Sequence, residues 1–227
     1  MIYALAAQLN SPFSSMTEFT VVAISSMFFL VDPFNAVPLF IALTASSSPE
    51  GRKRAARKAA LTCFIVLTAF ALAGSWIFRI FGITLPAFEI AGGLILLLIG
   101  IEMIQGQNNT KDDPKNNPED VSQKDDIGIT PMGVPMLAGP GAISTVMVLT
   151  GASPSPAHSI PVIAAIAITA LASYLILAAA TRIQMRLGGT GIRIMMRIMG
   201  LMLTAIAIQF VINGLNLLGL VHTGATG

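Results

Sequence analysis

Charge is scarce in this chain. Only 11% of its 227 residues are Asp, Glu, Lys or Arg, against about 25% in an ordinary soluble domain. That shortage excludes a conventional water-facing surface. The net charge of +2, spread over loops, also excludes the basic footprint of a nucleic-acid binder. Histidine is limited to His158 and His222, and cysteine to Cys63. These residues supply neither a His/Cys metal set nor an intrachain disulfide, so no metal or cofactor is expected, and Cys63 reads as a small packing residue. A phosphate-binding loop and a nucleophile elbow are both missing. With no nucleophile–base pair, an enzyme is the weakest functional reading.

What the chain has instead is apolar length. Hydrophobic residues make up 54% of it, and the mean hydropathy is +0.78. Six stretches reach the roughly 20 apolar residues needed to cross a bilayer: about 18–45, 59–82, 84–105, 128–151, 160–184 and 192–219. The loop after the first holds Arg52, Lys53, Arg54, Arg57 and Lys58, and the loop after the fifth holds Arg182, Arg186 and Arg193. Basic loops stay in the cytoplasm, which puts both termini on the outer, periplasmic side. The N-terminus, MIYALAAQLNSPFSSMTEF, lacks a basic start and is expected to be retained.

Two helix-breaking motifs interrupt the apolar stretches: DPFNAVP (Asp32 to Pro38) and AGPGAIST (Ala138 to Thr145). They belong to a weak internal repeat. Pro33 and Pro140, Thr62 and Thr169, Arg79 and Arg186, and Gly82 and Gly189 all differ by 107. After one insertion, Ile90 and Ile198, Gly92 and Gly200, Ile104 and Ile212, and Gly106 and Gly214 differ by 108. The expectation is a single membrane domain with repeat one at about 17–106, a polar cytoplasmic linker at about 107–126, and repeat two at about 127–219. Three spans per repeat is an odd number, so the second copy must be inverted. The fold class is therefore all-α integral membrane: six transmembrane helices in two inverted-topology three-helix repeats, with spans 1 and 4 broken near mid-membrane. Paired breaks of this kind mark the polar site of secondary transporters.

Candidate site residues follow from chemistry. A lone charge at mid-membrane costs at least about 2.5–3.5 kcal/mol, so Asp32 must be capped, paired, protonated or wetted. Followed by Pro33, it also suits the N-cap of a half-helix. Asn35 offers a donor and an acceptor, and Pro38 frees a carbonyl one turn earlier. Gly139 and Gly141 allow close backbone approach, and Pro140 starts a helix. Ser144 and Thr145 follow in or near its first turn, where exposed amides bind carboxylates; back-bonding to their own helix is the bland alternative. Gln209, Asn213 and Asn216 share one helix face, as cavity lining or as interhelical glue. Arg79 and Glu89 at outer span ends, and Glu102 and Arg197 at inner ones, read as snorkelling or paired interfacial charges. Gly92, Gly93 and Gly200 read as close helix contacts.

At these motifs the chain resembles the MarC family of bacterial inner-membrane proteins, also called the neutral amino acid transporter family. The resemblance rests on DPFNAVPLF (Asp32 to Phe40), FGITLPAFEIAGGLILLLIG (Phe81 to Gly100), AGPGAISTV (Ala138 to Val146) and RIMGLMLTAIAIQFVINGL (Arg197 to Leu215). It implies a six-span protein moving small neutral amino acids such as glycine, alanine and threonine. Two departures stand out: Glu89 where such proteins usually carry Arg, and Phe34-Asn35-Ala36 where Gly often adjoins the Asn. The functional expectation is an alternating-access carrier whose partners are a small neutral amino acid and the lipid bilayer. A channel with a fixed filter at the breaks is the alternative. The sequence leaves a homo-oligomer open.

Overall fold

The computed structural model describes residues 16–45, 47–105, 126–151 and 156–220. The expected external termini, the 153–155 part of the outer SPSPAH loop and all of the linker except Asp126 lie outside these residues. The regular elements among the described residues are all helical, and strands are absent among them. Five helices are long and apolar enough to cross a membrane: Met16–Leu43, Pro49–Phe81, Leu85–Gln105, Ser159–Ala180 and Thr190–Leu217.

The first of these contains a helix boundary. Helix α1 (Met16–Val31) ends and α2 (Pro33–Leu43) begins around Asp32, whose backbone is left-handed (φ 40°, ψ 66°). Pro33 supplies the fixed φ of a helix start. Arg52 closes the far end of α2, donating Nε to the Thr44 carbonyl and Nη2 to the Ala45 carbonyl, both at 3.0 Å. Helix α3 (Pro49–Phe81) starts at the Ser48 cap, whose Oγ accepts from Gly51 N–H at 3.1 Å, and stops at left-handed Gly82. Helix α4 is Leu85–Gln105.

The expected fourth span, 128–151, is not one long helix. A 3₁₀ turn at Asp126–Gly128 leads into an irregular stretch, Met132–Leu137, and only then into α5 (Pro140–Gly151). Prolines explain the division. Pro131, Pro135 and Pro140 lack the N–H a helix needs, and the neighbouring amides reach one residue further back. Val134 N–H bonds the Ile129 carbonyl at 2.9 Å, Met136 that of Pro131 at 3.2 Å, and Ala138 that of Gly133 at 2.8 Å. Each donor is thereby satisfied, as irregular backbone inside a membrane protein requires. At 12 residues, α5 extends about 18 Å, and Pro140 through Val146 are all buried.

The expected fifth and sixth spans form α6 (Pro156–Leu217), divided at Gly188, whose φ of 63° and ψ of 177° are non-helical. The arm after Gly188 packs closely on α4 through small residues. A Cβ on Gly100 would stand 3.0 Å from the Gly200 carbonyl oxygen, and one on Gly200 would stand 2.9 Å from that of Gly100. A Cβ on Gly93 would meet the Ala207 carbonyl at 2.7 Å. In lipid, where no hydrophobic drive joins apolar helices, such contact supplies the packing energy. Gly92 differs: a Cβ there would run into the Pro140 ring, so it seats α4 against the start of α5.

One sequence expectation is corrected here. Glu89 does not snorkel outward; it is 1% exposed. It lies on the inward α4 face of Gly92, Gly93 and Leu96, at i, i+3, i+4 and i+7, which turns it away from lipid. Arg79, Glu102 and Arg197 are exposed.

Candidate functional site

A cavity of about 350 Å³ lies where the two motifs meet the last arm of α6. Asp32 and Asn35 come from the first motif, Gly139 and Gly141 from the second, and Gln209 and Asn213 from α6. Leu30, Leu96, Met136, Leu203, Ile206 and Phe210 complete most of its apolar wall. Its volume falls at the small end of the range for small-molecule sites, about 300–1,000 Å³, and an apolar wall with a few convergent polar groups is their usual chemistry.

Asp32 serves two helices. Its N–H bonds the Phe28 carbonyl of α1 at 3.1 Å, and its carboxylate Oδ1 accepts the Asn35 N–H of α2 at 3.4 Å. Aspartate is among the few non-glycine residues that enter left-handed backbone readily. Asn35 is buried, and its Oδ1 has no hydrogen-bond partner. Gln209 Nε2 donates to Asn213 Oδ1 at 3.0 Å, so one turn of α6 presents a linked amide pair to the cavity.

At the start of α5, the Ile143 N–H bonds the Gly139 carbonyl at 3.0 Å. The amides before Ile143 precede the first intrahelical bond, as at any helix N-terminus. Glycine at 141 leaves room for a neighbouring ring: a Cβ there would collide with the far edge of Phe210 unless that ring shifts, and one on Gly139 would stand 2.9 Å from the Pro135 carbonyl oxygen.

Of the remaining sequence candidates, Pro33 and Pro140 begin α2 and α5, and Pro38 is buried within α2; none lines the cavity. Ser144 and Thr145 are buried outside the lining; the Thr145 hydroxyl lacks a hydrogen-bond partner, and the Ser144 hydroxyl has none besides the Glu89 carboxyl next to it. Neither bonds back to its own helix, unlike Thr150, which reaches the Val146 carbonyl at 2.9 Å. Ser144 instead faces Glu89 of α4. Phe34 is exposed and meets Phe28 edge-on at 6.1 Å across the helix boundary, away from the cavity lining. Among the described residues, no group of three or more His, Cys, Asp or Glu could hold a metal.

Sequence reasoning did not anticipate Phe210 or Glu89. Phe210 adjoins Gln209 but gives no local sign of its contact with Gly141. For Glu89 a signal existed in the glycines one turn away, which mark the packed face of α4.

The profile described as MarC family integral membrane protein matches residues 17–218. The chain belongs to the MarC family. Relatives span bacteria and archaea. A UPF0056 membrane protein of Methanocaldococcus jannaschii is 42% identical over 198 residues, 87% of this chain and 96% of its own length. The UPF0056 membrane protein YvbG of Bacillus subtilis is 32% identical over 201 residues, 88% of this chain and 95% of its own. YhcE of Escherichia coli is 32% identical over 189 residues, 83% of this chain and 88% of its own. No solved structure matches significantly. The MarC family match thus covers both motifs, the cavity and the buried carboxyl of Glu89.

The collision at Gly141 gives a direct test of the cavity wall. Gly141→Ala is expected to weaken ligand binding and to lower thermal stability, because overpacking costs about 1–3 kcal/mol. Phe210→Ala should restore part of that stability by making room, giving a non-additive double-mutant cycle. Melting temperatures of the four forms measure this; strict additivity would contradict the contact.

Proposed function

We propose that this MarC family protein is a secondary transporter of small neutral amino acids, of the glycine, alanine and threonine class, working by alternating access. The carrying observation is that one small cavity joins both helix-breaking motifs. The chemistry suits a zwitterion. A carboxylate is stabilised by free amides at a helix N-terminus, here those around Gly141. An ammonium is stabilised by acceptor oxygens, here Asn35 Oδ1 and the Asp32 carboxylate. The linked amides of Gln209 and Asn213 add a polar rim. The apolar remainder and the modest volume favour a small, uncharged side chain.

In this reading the chain forms six spans, α1 with α2 counting as the first and the irregular stretch with α5 as the fourth. The two halves are inverted repeats. Pro33 and Pro140, 107 residues apart, each begin a helix, and that correspondence supports the repeat. The protein would sit in the inner membrane with both termini periplasmic.

A thermal-shift screen of the purified protein against the twenty amino acids tests the substrate class. Ligand at a hundred times its Kd stabilises by about 2.7 kcal/mol. The expected result is a raised melting temperature with at least one of glycine, alanine and threonine, and none with charged or aromatic amino acids. No shift with any amino acid, or the largest with an aromatic one, would overturn the assignment.

A further inference from the structure

Glu89 is a buried carboxyl group that the proposed substrate site does not use. It is 1% exposed, and its Oε2 has no hydrogen-bond partner. Ser144, in the early turns of α5, sets its hydroxyl beside the carboxyl, and that hydroxyl has no other hydrogen-bond partner. An ionised carboxylate buried without a cation costs several kcal/mol, which a protein avoids by pairing or neutralising it.

No pairing cation is found among the described residues of the surrounding elements. Helix α5 contains no charged residue, nor does the irregular Met132–Leu137 stretch. Helix α6 carries none from Gly200 to Leu217. Helix α3 packs on the neighbouring Phe88 through Phe70 and Phe78, and its nearest charge by position, Arg79, is exposed. Glu102 of α4 itself is exposed at the far end, Glu18 of α1 is exposed, and α2 has no charge. Asp32 lies at the cavity, adding negative rather than positive charge.

Position ties Glu89 to the cavity. Leu96 lines the cavity on the same face of α4, two turns or about 10 Å along. Between them, Gly92 is pressed against Pro140, the first residue of α5. Any movement of α5 relative to α4 therefore alters the cavity wall and the seam holding Glu89 together.

We propose that Glu89 is the proton-carrying residue of this protein, holding a proton while the α4–α5 seam is closed and releasing it when α5 moves away. This rests on the transporter reading above. On release the carboxylic O–H bond breaks, its electron pair stays on the carboxylate, and the proton passes to water admitted into the seam. Closing the seam expels that water and favours recapture. Substrate movement and proton movement are coupled because both require the same displacement of α5.

The test compares wild type with Glu89→Gln, which keeps the shape of the protonated acid and cannot ionise. Both are reconstituted in proteoliposomes and assayed with labelled glycine, alanine and threonine. Wild type is expected to accumulate substrate when a pH difference is imposed, with an apparent affinity changing by up to about tenfold per pH unit, the limit for one proton exchanged per substrate. Glu89→Gln is expected to lose that accumulation and pH dependence while retaining substrate exchange. Accumulation by Glu89→Gln under the pH difference would overturn the proposal. So would loss of exchange in a folded Glu89→Gln protein, which would make Glu89 a substrate ligand, or wild-type accumulation that requires sodium and ignores pH. Infrared difference spectra over a pH titration provide a readout independent of transport. Wild type and Asp32→Asn should show the carbonyl-stretch band of a protonated carboxyl group, and Glu89→Gln should lack it. If wild type transports none of the amino acids, the substrate reading fails. The same spectra then decide the role of Glu89: a band missing only in Glu89→Gln supports it, and an unchanged band overturns it.

Discussion

Asp32→Ala is expected to destabilise the protein by about 2–3 kcal/mol, and Asp32→Asn by much less. Two terms add in the alanine variant. Loss of the side-chain cap on α2 costs about 0.5–2 kcal/mol, and alanine in left-handed backbone costs a further 1–2 kcal/mol or so. Asparagine caps about as well as aspartate and tolerates the same backbone. Glycine removes the backbone strain and weakens the cap by only a few tenths of a kcal/mol or so, so Asp32→Gly should also remain folded. Melting temperatures in detergent should therefore rank aspartate, asparagine and glycine together, well above alanine. Alanine matching asparagine would show that neither the cap nor the φ of 40° matters. Asp32→Asn should also keep part of the transport activity across pH. Asparagine keeps an acceptor oxygen for the ammonium, so complete loss in a well-folded Asp32→Asn protein would show that binding or coupling requires the negative charge itself.

Asn35→Leu is expected to separate stability from function. The Asn35 side chain is buried with Oδ1 unpartnered, and an unsatisfied buried polar group costs about 1–3 kcal/mol. Leucine has a similar shape and no polar atom to bury. The variant should be as stable as wild type or more so. If Asn35 holds the substrate ammonium, the same change removes a charge-assisted hydrogen bond worth about 1.5–3 kcal/mol, which corresponds to a loss of affinity of roughly 10- to 150-fold. Thermal unfolding and equilibrium binding of a labelled amino acid check the two halves of this statement. A destabilised variant that binds normally would mean Asn35 is a structural residue alone.

Several of these features were legible in the sequence because they are local. Asp before Pro at 32–33 and Pro between glycines at 139–141 state where α2 and α5 begin, and the spacing of Gln209 and Asn213 places both on one helix face. The irregular Met132–Leu137 stretch was harder to read. Hydropathy across 128–151 is high enough for a span, and it conceals what Pro131 and Pro135 do to the hydrogen-bond ladder. Contacts distant in sequence left no local trace, so nothing near Gly141 announces Phe210. The position of Glu89 near the start of a span suggested the membrane surface. Only its register with Gly92, Gly93 and Leu96, seen against the packed helices, turns it inward.

Counterflow in proteoliposomes tests the central claim most directly. Vesicles loaded with unlabelled glycine, alanine or threonine and diluted into a trace of the same labelled amino acid should take up label transiently, faster than empty vesicles do. That acceleration requires a site that alternates between the two faces of the membrane. Label entering loaded and empty vesicles at the same rate would indicate a channel, and no protein-dependent entry for any of the three would contradict neutral amino acid transport.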